Sequence, residues 1–430
     1  MKKRLMSIVL GAVMAITLAA CGGNSGGATI ENTEAQEETT EEAEAPAEDA
    51  GEEAEAEAAS EDFHIGIVTG SVSQSEDDRR GAEAFQAKYG EENVTLAIYP
   101  DNFTEEQETT IQTIVNLSDD PKMKAIIVNQ AVPGTTEAFR RIKESRPDII
   151  CIAGESHEDL PEIGSAADLV VNNDFVARGY LMIRTAHELG CDTFVHISFP
   201  RHMSYETMSR RVAIMKEACK EFGMKFEMET APDPTTDVGV PGAQAYILEH
   251  VPEWIDKYGT NSAYFCTNDA HTEPLLKKLL ELGGYFIEAD LPSPLMGYPG
   301  ALGIDLTEEA GDFQKILAKV EAAVVEKGGA GRFGTWAYSY GYTVSAGLAQ
   351  HAMNVIDGKS ELADIDDISA AYEVFSPGAA WNGSNYTNAD TGVKADNTFL
   401  IYQDTYIMGD PGKYMGSTEV EVPEKYFTTK

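Results

Sequence analysis

From position 64 onward, short continuously apolar runs alternate with longer stretches in which apolar residues recur every three or four positions. The runs at 64–69, 94–99, 125–129, 148–153, 169–172, 193–198, 225–229 and 263–267 read as strands. The stretches at 77–89, 104–117, 135–144, 177–189, 205–222, 243–258 and 272–282 read as amphipathic helices. Gly90, Gly190, Gly223, Gly259 and Gly283 follow helical stretches closely, as left-handed C-caps do. Strands that are apolar throughout, rather than at alternate positions, suit a parallel sheet covered by helices on both faces. Repeated β-α units of this length predict open, doubly wound sheets. The 367 residues after position 63 exceed what one core usually supports. The expected fold class is therefore α/β, with two doubly wound parallel-sheet lobes joined by a hinge.

In such sheets ligands bind at the carboxyl ends of the strands. There the chain places Ser71, Ser73 and Gln74 after the first strand, Asn129-Gln130 after the third, Glu155 after the fourth, and Asn173-Asp174 after the fifth. The next three strands lead into Arg201, Asp233 and Asn268-Asp269. Any one of these residues can be a helix cap or a turn former. Their recurrence at the same end of seven strands predicts a cleft for a polar guest. Tyr298, Trp336 and Tyr338 offer aromatic faces to a sugar or a base, although core packing explains them equally well. Arg201 or Arg178 can pair a carboxylate or phosphate, or simply bridge on a helix.

The N-terminus changes the picture of where this domain works. Lys2, Lys3 and Arg4 precede an uncharged apolar stretch from Leu5 to Ala20, which ends in Leu18-Ala19-Ala20-Cys21. Small residues before a cut and a thiol just after it form the pattern of a lipoprotein signal, so residues 1–20 are expected to be removed and Cys21 lipidated. Between Gly22 and Asp62 there are fifteen acidic residues and no Lys, Arg or aromatic residue. Such a segment buries too little apolar surface to fold and its charges extend it, so 21–62 is expected to be a disordered tether. The predicted address is the extracytoplasmic face of a membrane. After position 63 no apolar run is long enough to span one.

Charge and cysteine narrow the partners. Without the first 63 residues the chain carries 29 basic against 57 acidic groups, a net charge of −28. A field of that sign, with no basic stripe, argues against nucleic acid. Cys151 and Cys266 fall in strand runs, Cys219 on a helix and Cys191 after a glycine. No CxxC spacing occurs, so no zinc or redox site is indicated and small buried hydrophobes are the simpler reading.

The opening Ile65-Gly66-Ile67-Val68-Thr69, followed by Asp77-Asp78-Arg79-Arg80-Gly81-Ala82-Glu83-Ala84-Phe85, resembles the first strand and helix of the type I periplasmic-binding-protein superfamily. Ala125-Ile126-Ile127-Val128-Asn129 is similar to its third strand, and Tyr264-Phe265-Cys266-Thr267-Asn268-Asp269 to the strand end of its second lobe. Within that superfamily the chain looks closest to a family of Gram-positive-type lipoproteins. The resemblance covers 63 to about 358. It implies a first lobe of 63–174 plus about 297–358 and a second lobe of 175–296, with a return between them near 292–298. Gly334 to Ser339 would then supply the last strand of the first lobe. Residues 359–430, with the Trp381-Asn382-Gly383-Ser384-Asn385-Tyr386 segment, depart from the pattern and are expected to return in part to the second lobe.

The resemblance implies a monomeric receptor that closes on a small polar, sugar- or nucleoside-like solute for an ABC-type permease. A sensor subunit of a membrane signalling system would use the same cleft. The enzyme alternative, an extracellular hydrolase, lacks a G-x-S-x-G, HExxH, P-loop or GxGxxG motif, and His157 and His202 stand singly in polar loops. A regulator of this fold would need a DNA-binding helix-turn-helix before the first strand, where the apolar leader and acidic stretch stand. No metal or cofactor is expected.

Overall fold

The computed structural model describes residues 63–430, apart from the side chains of Ser73 and Gln74. The leader, Cys21 and the acidic stretch lie outside the described residues.

Strands β1 (His64–Thr69), β2 (Val94–Ile98), β3 (Met123–Asn129), β4 (Ile150–Gly154) and β5 (Leu169–Asn173) run parallel in the order β2-β1-β3-β4-β5. Helices α1 (Val72–Tyr89), α2 (Gln107–Val115), α3 (Thr135–Ser145) and α4 (Leu160–Gly164) follow the first four strands in turn. Ile65, Ile67, Val68, Ile126, Ile127 and Val128 are fully buried, as strands shielded on both faces require.

The chain leaves this sheet after Asn173 and enters α5 (Phe175–Glu188), then β6 (Thr193–Ser198), α6 (Glu206–Glu221), β7 (Lys225–Thr230), α7 (Gly239–Tyr258), β8 (Ser262–Cys266), α8 (Asp269–Leu282) and β9 (Tyr285–Phe286). These strands form a second parallel sheet in the order β7-β6-β8-β9. Its residues alternate between two cores. Phe194, Ala263 and Phe265 face Ile214 and Met215 of α6, whereas Val195, Ile197, Tyr264 and Cys266 face Ile247 of α7 and Leu275 of α8.

The chain returns later than the expected boundary near 297. Helices α9 (Tyr298–Leu302) and α10 (Phe313–Glu326) stay on the second lobe, where Tyr298, Phe313, Ile316, Val320 and Val324 join the core around Phe286. The apolar stripe of α10 repeats at helical spacing and needs an apolar surface, which the β8-β9 side of the sheet supplies. Strand β10 (Gly334–Trp336) does not complete the first lobe's sheet. Only α11 (Tyr340–Ile356) reaches that lobe, packing along α1 and β3.

Most of the C-terminal extension joins the first lobe instead of the second. Helix α12 (Ile365–Glu373) packs on α11, and the hairpin of β11 (Trp381–Thr387) and β12 (Lys394–Gln403) extends the first sheet past β5. β12 lies parallel to β5 and β11 antiparallel at the edge. Only β13 (Thr405–Ile407) and β14 (Lys413–Tyr414) sit with β10, in a small antiparallel sheet. Cys151, Cys191, Cys219 and Cys266 are buried free thiols. No described helix is long and apolar enough to cross a membrane.

Four chain segments meet at one buried ion pair. Arg178 donates from Nε to Glu288 Oε1 at 2.7 Å, from Nη1 to Asn173 Oδ1 at 2.7 Å and Asp290 O at 2.8 Å, and from Nη2 to Ala289 O at 2.7 Å. Glu288 Oε2 accepts from Trp336 Nε1 at 2.9 Å and from Thr405 Oγ1 at 3.2 Å. The guanidinium also lies 5.1 Å from the Trp336 ring centroid. Thus β5, the segment after β9, β10 and the start of β13 are bound to one charge pair. Breaking one partner of such a pair strands the other charge, which costs about 3–5 kcal/mol. Glu288→Ala and Arg178→Ala are each expected to lower stability by that amount in urea unfolding, whereas the double replacement Arg178→Met with Glu288→Leu should cost less than either. Near-wild-type midpoints for the single variants would show that the pair does not hold the hinge.

Candidate functional site

At the carboxyl ends of both parallel sheets the chain turns sharply and carries polar side chains. Helix α1 is broken at Ser75, where φ is −147° and ψ 61°, so its regular part begins just before Asp77 and Asp78. The break folds the 70–75 turn onto Tyr99: a Cβ added to Gly70 would stand 2.8 Å from Ser75 Oγ and 3.1 Å from Tyr99 OH. The next two strand ends hold Gln130 at φ 45° and Glu155 at φ 43°, the only non-glycine residues with positive φ among those described. Each such conformation costs of order 1–3 kcal/mol and is held only where its surroundings over-determine it. Gln130 Nε2 donates to Asp78 Oδ2 at 3.0 Å, and Glu155 Oε2 accepts from the Asn173 amide at 2.9 Å.

The second lobe brings its own groups. Thr267 Oγ1, at the end of β8, shares hydrogen bonds with Ser198 Oγ at 2.7 Å and His202 Nδ1 at 3.2 Å. Asn268 caps α8 through its side-chain oxygen, which accepts from the Ala270 amide at 3.0 Å. Asp269 then opens the helix, and its Oδ1 is buried without a hydrogen-bond partner. Asp290, on the crossing segment, lies 2.6 Å from Arg211 Nη2.

Carboxylates from the two lobes share this space. Burial, then the charges of Asp290, Asp77 and Asp78, push the Asp269 carboxyl up to about 7. Burial also lifts Asp78 to about 7, helped by Asp77 and Glu155 and opposed by the hydrogen bond from Gln130. Asp77 is raised by burial against hydrogen bonds from Ser339 and Ser293, and Glu155 by burial against the Asn173 amide and Tyr340. Asp269 sits in the first turn of α8, where the dipole offsets part of this penalty. The chemistry is that of one unspent acceptor, Asp269 Oδ1, facing hydrogen-bonded carboxyls of the other lobe, suited to guests that carry N–H or O–H donors. Among the described residues no group of three or more His, Cys, Asp or Glu is arranged to hold a metal ion.

The expected site residues divide. Gln130, Glu155 and Asp269 come together here; the Ser73 and Gln74 side chains are outside the described residues, and Ser71 Oγ donates to Asp101 at 2.7 Å on the rim. Asn129 supports the site from behind: it is fully buried, donating to Asp78 Oδ1 at 2.5 Å and to Ser345 Oγ at 2.6 Å. Asn173 is committed to Arg178, and Asp174 caps α5, accepting from the Ala177 amide at 2.7 Å. Arg201 and Asp233 satisfy each other in a bidentate pair at 2.7 and 3.0 Å, which leaves Arg201 no open fork for an anionic guest. Tyr298 is a correction: it is 1% exposed in the second-lobe core and donates to Gly334 O at 2.7 Å. Trp336 is another, fully buried and engaged with Glu288 and Arg178. Large aromatics bury where they can, and both found partners for their polar atoms. Asp77, Asp78 and Asp290, whose charges reach Asp269, were not among the residues expected at the site. Asp77-Asp78 stands in the quoted helix opening, so the signal was present; Asp290 has none.

The raised carboxyls have a pH consequence. A group whose folded pKa lies above its unfolded value of about 3.9 contributes stability that is present at low pH and lost as pH rises through the folded pKa. The unliganded protein is therefore expected to lose melting temperature between about pH 4 and pH 7, and Asp269→Asn should flatten that slope and raise the melting temperature at pH 8. Identical pH profiles for wild type and variant would remove Asp269 from the coupled cluster.

Comparison with known proteins agrees with this architecture. A solved structure of a candidate transcriptional regulator from Clostridium difficile 630 superposes with a TM-score of 0.72 at 23% identity, covering 80% of this chain and 99% of that one. That likeness supports the two-lobed, periplasmic-binding-protein-like α/β fold and nothing further. A solute-binding protein of an ABC transporter from Burkholderia graminis C4D1M, solved with D-arabinose, aligns more loosely, at a TM-score of 0.44 and 15% identity over 70% of this chain and 91% of that one. Two uncharacterized proteins of Treponema pallidum (strain Nichols) are 41% identical over 209 residues and 37% over 182. These alignments take in 49% and 41% of this chain, and 94% and 82% of the relatives. A second family model matches residues 345–429. The model described as "Protein of unknown function (DUF3798)" matches residues 63–334, more than half of the chain, and the chain belongs to that family.

Proposed function

We propose that this protein is an extracytoplasmic solute-binding lipoprotein, without catalytic activity, that captures a small hydroxyl-rich solute between its two lobes. One observation carries the reading: the carboxyls of Asp77 and Asp78 in the first lobe act electrostatically on Asp269 in the second, and Asp269 Oδ1 is buried with no donor. Acceptors of this kind accept hydrogen bonds from sugar or nucleoside hydroxyls, and a guest that touches both lobes stabilises their closed arrangement. The closing motion would turn about the crossing segments held by Arg178 and Glu288. Lipidation of Cys21 would tether the domain to the membrane, with the acidic stretch of 22–62 as its stalk and an ABC-type permease as the receiver of the solute.

A thermal-shift screen over monosaccharides, nucleosides and amino acids is expected to yield at least one sugar or nucleoside that raises the melting temperature by mass action. Asp269→Asn should abolish that shift while the unliganded variant still melts cooperatively. A response of the same size in wild type and variant would place the solute elsewhere. For the tether, Cys21→Ser is expected to move the expressed protein from the membrane pellet to the soluble fraction, and retention in the pellet would count against the lipid.

A further inference from the structure

The C-terminal extension builds a second cavity, away from the cleft, of about 530 Å³. That volume falls within the roughly 300–1,000 Å³ over which proteins take up small molecules. Its walls come from the start of α5 and, more than 200 positions later, from the β11–β12 hairpin and the chain after β14. Asp174, only 1% exposed, lines it and keeps Oδ2 without a hydrogen-bond partner, because its other oxygen is spent on the Ala177 amide. Ser384, on β11, lines the same cavity, and its Oγ too is buried with no partner. Tyr402, Val422 and Phe427 give the wall apolar and aromatic surface.

Charge decides what can enter. The two arginines whose fields reach Asp174 are Arg178 and Arg210, and both have committed their guanidinium groups. Arg178 is held by Glu288, Asn173 and the 289–290 carbonyls. Arg210 donates to Thr429 O at 2.9 Å, Thr387 O at 3.1 Å and Phe427 O at 2.5 Å, which pins the chain terminus against the cavity. Their charge offsets that of Asp174 without satisfying its oxygen, so the unmet need is a hydrogen-bond donor and not a cation. A buried polar atom left in this state is destabilising, and a donor from a guest would recover that loss. Aromatic wall, orphan carboxylate oxygen and orphan hydroxyl together match a molecule with an apolar face and hydroxyl groups on its edge.

We propose that this cavity is a second binding site, for a neutral, sugar-sized polyhydroxylated molecule whose hydroxyls donate to Asp174 Oδ2 and exchange a hydrogen bond with Ser384 Oγ. The site is independent of the cleft, and it touches the first crossing segment through Asp174, whose amide bonds to Ile401 O at 2.9 Å.

The test is isothermal titration of the full chain with glucose, ribose, myo-inositol and glycerol. Asp174→Asn keeps an oxygen for the Ala177 cap but replaces the second acceptor with a donor; Ser384→Val keeps a strand-favouring shape. The expected result is a compound that binds wild type and loses at least ten-fold affinity in Asp174→Asn and at least three-fold in Ser384→Val, with melting temperatures that confirm folded variants. Asp269→Asn distinguishes the sites, since it changes the cleft and should leave this affinity in place. Failure of every compound to bind wild type, unchanged affinity in both cavity variants, or loss confined to Asp269→Asn would each overturn the second site. The last of these outcomes would leave the cleft reading standing.

Discussion

The Arg178–Glu288 pair is the constraint on which the arrangement of this molecule depends. Two charges removed from water are stable only if every lone pair and proton finds a partner, and here the partners come from four segments far apart in the chain. Asn173 and the 289–290 carbonyls complete the guanidinium, while Trp336 and Thr405 complete the carboxylate. A displacement of any crossing would leave part of this set unsatisfied. The pair therefore ties these segments to one point between the lobes.

That tie explains how the cleft can carry strain. With the crossings pinned, the strand ends on either side are held at a set distance, and conformations such as those of Gln130 and Glu155 persist. The left-handed turns bring Gln130 onto Asp78 and Glu155 onto the Asn173 amide. The carboxylates of Asp77, Asp78 and Asp269 then lie within one another's fields, in surroundings that penalise their charge. An isolated lobe would hold fewer of them and feel less repulsion. The penalty is a property of approach, so donors that relieve it also favour the approach.

The strand ends Asn129-Gln130, Glu155 and Asn268-Asp269 were legible because the switch from an apolar run to a polar turn has a position in the chain. Gln130, Glu155 and Asp269 all reach Asp78, the first by a hydrogen bond and the other two by charge. Arg201 and Asp233 were equally legible as strand-end groups, yet they close on each other, because their mutual reach depends on how two neighbouring loops fold. Tyr298 and Trp336 read as possible stacking faces and became core, since an aromatic ring obeys whichever apolar surface lies nearest. Asp290 stood in no recognisable motif, and only the crossing of the chain gives it a place beside Arg211.

The amino-acid pattern by itself determined the β-α units, their parallel sheets, the division into two lobes and the edge at which polar groups gather. These follow from periodicity and capping, which act over a few residues and leave local marks. The tertiary structure alone decided where α9 and α10 belong, and that β11 and β12 lengthen the first sheet. It alone decided that Arg178 meets Glu288, 110 positions away. It also made a cavity from Asp174, Ser384 and the chain terminus. Those outcomes rest on competition among distant apolar and polar surfaces for partners, and such competition has no period along the chain.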